Sequence, residues 1–287
     1  MKHRKQENDT LGARLGEAKN PNTPPDRLHK LAQNQNKRIR RNVAGNPNAS
    51  LTALKKLAGD LEVEVRRQVA LNPNISHSQA ILQQLASDQD VLVRYHMAEN
   101  PNIPQAMFQQ LVNDRAVCLR YQVAKNPNIS SIVLQQLVSD PEVSVRYQVV
   151  KNPNILPLAL QQMVDDPDET VRRRVADHPD APSIVLKRLA DNKNKYVRRG
   201  VALNPSTPLA VLEQLAADPD ETVRSGAAFN CNIPPETLQQ LAQDQSEKVR
   251  SFVGKNPNTP PDLLAVLAQD LDPDVQQAAL TAFQKRQ

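Results

Sequence analysis

Val145-Arg146-Tyr147-Gln148-Val149-Val150-Lys151-Asn152-Pro153-Asn154 decides the reading of this chain, because versions of it return at a fixed spacing from one end to the other. Asn-Pro-Asn stands at 20–22, 46–48, 72–74, 100–102, 126–128, 152–154 and 256–258. His178-Pro179-Asp180, Asn204-Pro205-Ser206 and Asn230-Cys231-Asn232 fill the gaps in the same phase. Ten units are thereby marked, with starts 26 residues apart except from Asn72 to Asn100, which are 28 apart. The two extra residues fall around Ser76–Ala80. A fixed period of this size belongs to a solenoid, in which each unit buries its apolar face only against its neighbours.

Within a unit the signals follow a set order. After Asn-Pro-Asn comes Thr23-Pro24-Pro25-Asp26, repeated at Thr259-Pro260-Pro261-Asp262, which predicts a helix start with Thr as N-cap. Helix A carries a pair of leucines three apart, as in Leu28/Leu31, Leu54/Leu57, Leu134/Leu137 and Leu238/Leu241. Asp follows three residues after the second Leu in eight units, from Asp60 to Asp270, with Asn34 and Asn192 in the other two, and opens a turn. Helix B then places an apolar pair four apart, Val65/Val69, Val93/Met97, Leu119/Val123 or Val145/Val149, against the leucines. Asn-Pro closes helix B, Asn being expected in the left-handed conformation. Neither helix is long enough to stand alone, so stacking supplies the stability.

The expected fold is an all-α, right-handed solenoid of about ten two-helix repeats. Ala13–Lys19 reads as an N-terminal capping half repeat and Val275–Phe283 as the C-terminal cap. Residues 1–10 read as a flexible tail and 11–287 as one repeat-array domain. True leucine-rich repeats are set aside because nothing alternates at period two. Tetratricopeptide and ankyrin units are longer and carry signatures absent here.

Leu85-Ala86-Ser87-Asp88, Val93-Arg94, Met97-Ala98 and Asn100-Pro101-Asn102 together resemble the leucine-rich repeat variant family, a relative in style of HEAT repeats. The resemblance implies a right-handed superhelix of two short helical layers, one of them 3₁₀ in character. Some members carry an iron–sulfur cluster on N-terminal cysteines; residues 1–20 contain no Cys, so that cofactor does not carry over.

With 3% aromatic residues and no Trp, the core must be aliphatic. Cys118 and Cys231 stand at different repeat positions and more than four units apart, beyond the reach of a disulfide, which points to a reducing, cytoplasmic compartment. No stretch has the length of a membrane span. The net charge of +5 hides segregation: residues 1–71 hold 15 Lys/Arg against 7 Asp/Glu and 172–204 hold 9 against 3, whereas 72–171 hold 6 against 10 and 205–287 hold 6 against 11. One unbroken basic track for a long duplex is therefore not expected.

Catalytic residues, metal ligands and cofactors are not indicated. The five histidines fall at unrelated repeat positions, the acidic runs at 165–169 and 218–221 coincide with turns, and no Gly-rich phosphate loop is present. Two recurring positions remain. One is a row of arginines in helix B: Arg40, Arg66, Arg94, Arg120, Arg146, Arg172, Arg198, Arg224 and Arg250, preceded by Arg14 and giving way to Gln276. A residue repeated regardless of the charge of its unit behaves as scaffold, bonded to the inter-helix Asp or a turn carbonyl, although a ladder of guanidinium groups could also meet a polyanion. The next position varies: Arg41, Arg67, Tyr95, Tyr121, Tyr147, Arg173, Arg199, Ser225 and Ser251, with His96, Gln122 and Gln148 beside the tyrosines. Tyr and Arg dominate interfaces. The expectation is a monomeric, non-enzymatic scaffold binding a protein or peptide, an acidic one included, on the groove lined by helix B. Binding of nucleic acid through the Arg and Tyr rows is the alternative.

Overall fold

The computed structural model describes residues 10–285, and among them only helices and turns occur. The expected tail falls, apart from Thr10, outside the described residues. The packing groups the helices into two compact units, one ending at Asn154 and the other beginning at Ile155. Each is an α-solenoid stack of helix pairs. The first opens with the single helix Leu11–Lys19, followed by pairs such as Pro25–Leu31 with Lys37–Ala44, Leu51–Leu57 with Val63–Ala70, and Gln79–Ala86 with Val91–Glu99. The second includes Ser183–Leu189 with Lys195–Leu203 and ends on Pro261–Leu267 with the longer Pro273–Gln284.

The apolar periods explain the layers. Leu28, Leu54, Leu134 and Leu238 of helix A and Val43, Val69, Val145 and Val249 of helix B are almost fully buried, as are Ala44 and Ala70, which follow Val43 and Val69. Helix A is α-helical apart from a 3₁₀ end at Gln135–Leu137. The two-residue insertion is taken up by a 3₁₀ turn, Pro73–His77, ahead of helix Gln79–Ala86.

Two sequence-based expectations about helix ends give way to other geometry. Thr23 does not cap helix Pro25–Leu31: Pro24 occupies the cap position, and the Thr23 hydroxyl donates back to the carbonyl of Glu17, 2.6 Å away. Thr207 and Thr259 reach back in the same way to Val201 and Val253. Where Ser stands in place of that proline, at Ser50 and Ser130, its hydroxyl accepts from the backbone N–H three residues on. Nor do the asparagines enter the left-handed region. No described residue has positive φ, and Asn152 is extended at φ −72°, ψ 131°.

The asparagine of Asn-Pro instead bridges successive repeats. Its Oδ1 accepts from the backbone N–H two residues on, while its Nδ2 donates to two carbonyls of the preceding repeat. Asn46 reaches Ala18 and Asn20, Asn72 reaches Ala44 and Asn46, and Asn256 reaches Ala228 and Asn230. These side chains are buried, so the bonds satisfy helix-end carbonyls where water has no access. His178 keeps half of the role, its Nδ1 accepting from the N–H of Asp180 at 3.1 Å, and burial holds its pKa below the usual histidine value.

Candidate binding face on the second helices

Each helix B brings the recurring arginine over the turn that precedes it. Arg40 donates from Nη1 to the carbonyls of Asn34 and Gln35, and from Nε and Nη2 to both carboxylate oxygens of Asp60 in the following repeat, at 2.7 and 3.0 Å. Arg66–Asp88, Arg94–Asp114, Arg120–Asp140, Arg198–Asp218, Arg224–Asp244 and Arg250–Asp270 repeat the bidentate pair. Each Asp also accepts a backbone N–H two residues on, as Asp60 does from Glu62. The carboxyls of Asp60, Asp114 and Asp244 are pushed up by burial, but the arginine and that N–H outweigh it and hold them below the usual range. At the last repeat Gln276 donates to the carbonyl of Asp270, keeping the turn contact without a charge.

Arg172 differs. Its Nη1 reaches the carbonyl of Asp166, but its Nε is buried without a partner, because the place of the next carboxylate is taken by Asn192. The Oδ1 of Asn192 accepts from the N–H of Asn194, as Asp60 Oδ1 does from Glu62, and Asn192 has an NH2 where the aspartates have the second oxygen that Nε reaches.

The variable position beside this ladder builds a different surface. Tyr95, Tyr121 and Tyr147 sit half-buried at one register of the successive helices Val91–Glu99, Val117–Lys125 and Val143–Lys151, and their hydroxyls make no hydrogen bond with a described residue. The ring of His96 meets that of Tyr95 edge-on at 5.6 Å, and Lys151 lies over the ring of Tyr147. Arg67 Nη2 is 2.7 Å from His96 Nε2, and Glu99 is 2.9 Å from His96 Nδ1. An arginine can only donate, so Nε2 accepts and Nδ1 carries the proton given to Glu99. Arg41, Arg67 and His96 line a cavity of about 290 Å³ with Glu64, Gln68 and Leu71. Gln122 and Gln148 are buried, and Gln122 Oε1 has no partner.

Arg173 and Arg199 occupy the same register in the second unit, Arg173 exposed and 3.8 Å from Asp177. Burial raises the Asp177 carboxyl against the pull of Arg173, Arg174 and Arg199. Ser225 and Ser251 are buried at this register. Two aromatic features escaped the sequence reading. Tyr196 is 52% exposed under Lys195, and Phe229, 48% exposed, packs edge-on against Phe252 at 5.6 Å. A signal existed, since Phe229 stands where Lys125, Lys151 and Lys255 stand in other repeats. Cys118 and Cys231 are exposed free thiols. No described helix is long and apolar enough to cross a membrane, and no described His/Cys/Asp/Glu group has the geometry of a metal site.

Against known proteins, residues 197–220 match the profile of the leucine rich repeat variant and residues 222–282 that of the leucine rich repeat variant domain. Among solved structures, one described as a leucine-rich repeat variant with a novel repetitive protein structural motif matches at 24% identity, covering 86% of this chain and 94% of its own, with a TM-score of 0.60. An engineered protein and importin beta match at 15% and 13% identity with TM-scores of 0.29 and 0.39, covering 95% and 97% of this chain and 94% and 46% of their own, too loose to carry a comparison. No curated protein matches. Residues 197–220 and 222–282 thus carry leucine-rich-repeat-variant units, and the chain folds as an α-solenoid.

Proposed function

We propose that this chain is a non-enzymatic binding scaffold of the cytoplasm, acting as a monomer, whose helix B face docks a protein or peptide on the tyrosine row. The observation that carries the reading is the placing of Tyr95, Tyr121 and Tyr147 at one register of successive helices, half-buried and with hydroxyls that make no hydrogen bond with a described residue. Rigid amphipathic rings on a fixed scaffold offer contact area at small entropic cost. Arg41 and Arg67 beside them supply donors for carboxylates and backbone carbonyls, whereas Gln122 and Gln148 are buried and lie beneath the surface a partner would meet. Arg173 and Arg199 offer the same chemistry in the second unit. Exposed free thiols suit a reducing compartment.

Nucleic acid is the second reading, because bases stack on tyrosine too. The acidic balance of residues 72–171, 6 Lys/Arg against 10 Asp/Glu, favours protein over a phosphate backbone at that place. The test is capture from nuclease-treated and untreated extract by the parent chain and by the triple variant Tyr95→Ala, Tyr121→Ala, Tyr147→Ala. The expected result is a protein recovered in both extracts by the parent and lost in the variant. Recovery that depends on intact nucleic acid would reverse the order of the two readings.

A further inference from the structure

The last two helix B elements, Glu247–Lys255 and Pro273–Gln284, enclose a groove of about 1070 Å³ that lies wholly in the second unit and owes nothing to the tyrosines. Its origin is local. A Cβ on Gly254 would come within 3.2 Å of Ala278 Cβ and of the Ala279 backbone nitrogen, so the absence of a side chain there lets the two helices close together. In front of that contact the lining residues are small, Ser251, Ala278, Thr281 and Ala282, with Phe252 as one wall. Pro273–Gln284 runs 12 residues where Glu247–Lys255 has 9, so its wall extends past its neighbour. Phe229 continues the apolar surface beyond Phe252.

The charges are ordered along the groove. Glu247 and Asp274 stand in the first turns of the two helices, and Lys255 and Lys285 at their ends. Lys248 is held by Glu221 at 2.9 Å and is not available in the same way. Both walls are helices with their backbone bonds already made, so they present no free row of N–H and C=O groups. An extended peptide on this floor would leave its own backbone unpaired against apolar surface. A helical segment satisfies its backbone internally and can seat its side chains between two helices. A stable isolated helix favours acids in its first turn and bases in its last. Such a helix meets Lys255 and Lys285 with its acidic start, and Glu247 and Asp274 with its basic end, only when it runs antiparallel to the walls.

We propose that this groove takes an amphipathic α-helix of a partner protein, about three turns long at 1.5 Å per residue, antiparallel to Glu247–Lys255 and Pro273–Gln284. Its apolar stripe rests on Phe252 and the alanines, its acidic first turn on Lys255 and Lys285. The test is selection of a displayed library of helical dodecapeptides against the full chain, with affinities of the winners read by fluorescence anisotropy. The expected winners carry acids in the first turn, apolar residues three and four apart, and bases in the last turn. The double variant Lys255→Glu, Lys285→Glu, which changes only rim side chains, should weaken them at least tenfold and turn selection towards the reversed charge order. Phe252→Ala should weaken both classes, and the triple Tyr→Ala variant neither, which separates this site from the tyrosine row. Winners with no charge order, or winners that bind the double Glu variant as tightly as the parent, overturn the proposal.

Discussion

Arg172 shows at a single residue what the other arginines gain from their neighbours. In seven repeats Nε of the ladder arginine donates to a carboxylate at 2.6–2.7 Å, and the side chains of these pairs are at most 17% exposed. In the Arg172 repeat Nε is buried and unpartnered, because Asn192 keeps the oxygen that holds the turn but carries an NH2 in place of the second carboxylate oxygen that Nε reaches in the other repeats. Asn192→Asp keeps that oxygen, adds a second one for the buried Nε of Arg172, and supplies the carboxylate the other repeats have. The expected gain is about 1.5–3 kcal/mol, the range for a hydrogen bond to a charged group, seen as a rise of several degrees in Tm. The gain should vanish in an Arg172→Ala background; a gain that survives there would assign it to the turn and not to the pair. The regularity of the arginines was legible in the sequence because a side chain that ignores local charge needs a partner that recurs with it. The choice of the next repeat's Asp over its own was not legible, since spacing alone does not say which turn the guanidinium reaches. The asparagines were misread for a related reason: Asn followed by Pro reads as a local helix stop, and its bonds to the previous repeat are invisible in a local window.

The junction between helices A and B is where these bonds become a property of the element. The Asp that ends one turn accepts the backbone N–H two residues on and the arginine of the previous repeat, so the turn and the stacking of two helices depend on one carboxylate. The carboxyls of Asp60, Asp114, Asp244 and Asp270 are all lower in the folded chain than in the unfolded one. A lowered folded value means the unfolded chain binds protons first as pH falls, so the stabilisation is complete above the ordinary Asp value of about 3.9 and is lost below it, as pH falls through the folded values. Thermal melts followed by helical circular dichroism should therefore slip slightly as pH falls below about 6.5, where the unfolded chain protonates His178 before the folded one does, and fall steeply below 4. Asp244→Asn should melt lower at pH 7 and show a shallower acid limb, because one of the titrating groups is gone. Parallel acid limbs for parent and variant would assign acid unfolding to other carboxylates. Helix positions were readable from the Leu and Val periods because burial enforces them. The starts were off by one at Thr23, where proline already fixes the helical φ and frees the hydroxyl to reach back to Glu17.

At the scale of the whole molecule the question is what the separated charges are for. The tyrosine row lies in a stretch with more acids than bases, while Arg41 and Arg67 at the same register belong to the basic residues 1–71. Arg67 is tied to His96, with no carboxylate pair among the described residues, and Arg41 is exposed, unlike the ladder arginines bound in carboxylate pairs. Exposed charges at the edge of an interface act mainly on association, by steering, and are screened within about 10 Å at 0.1 M salt. Buried aromatic anchors act mainly on dissociation. The recovered partner should therefore associate more slowly as salt rises, with little change in its dissociation rate. Arg41→Gln with Arg67→Gln should lower the association rate several-fold and flatten its salt dependence, whereas Tyr121→Ala should raise the dissociation rate and leave the salt dependence as it was. A nucleic-acid ligand gives a different pattern, because neutralising six or more phosphates costs about a thousandfold in affinity between 50 and 200 mM salt. A loss of that size, appearing in dissociation as well as association and shared by the Arg and Tyr variants, would make the face a polyanion track. A loss confined to association, set by two arginines, makes it a protein-docking surface with the tyrosines at its centre.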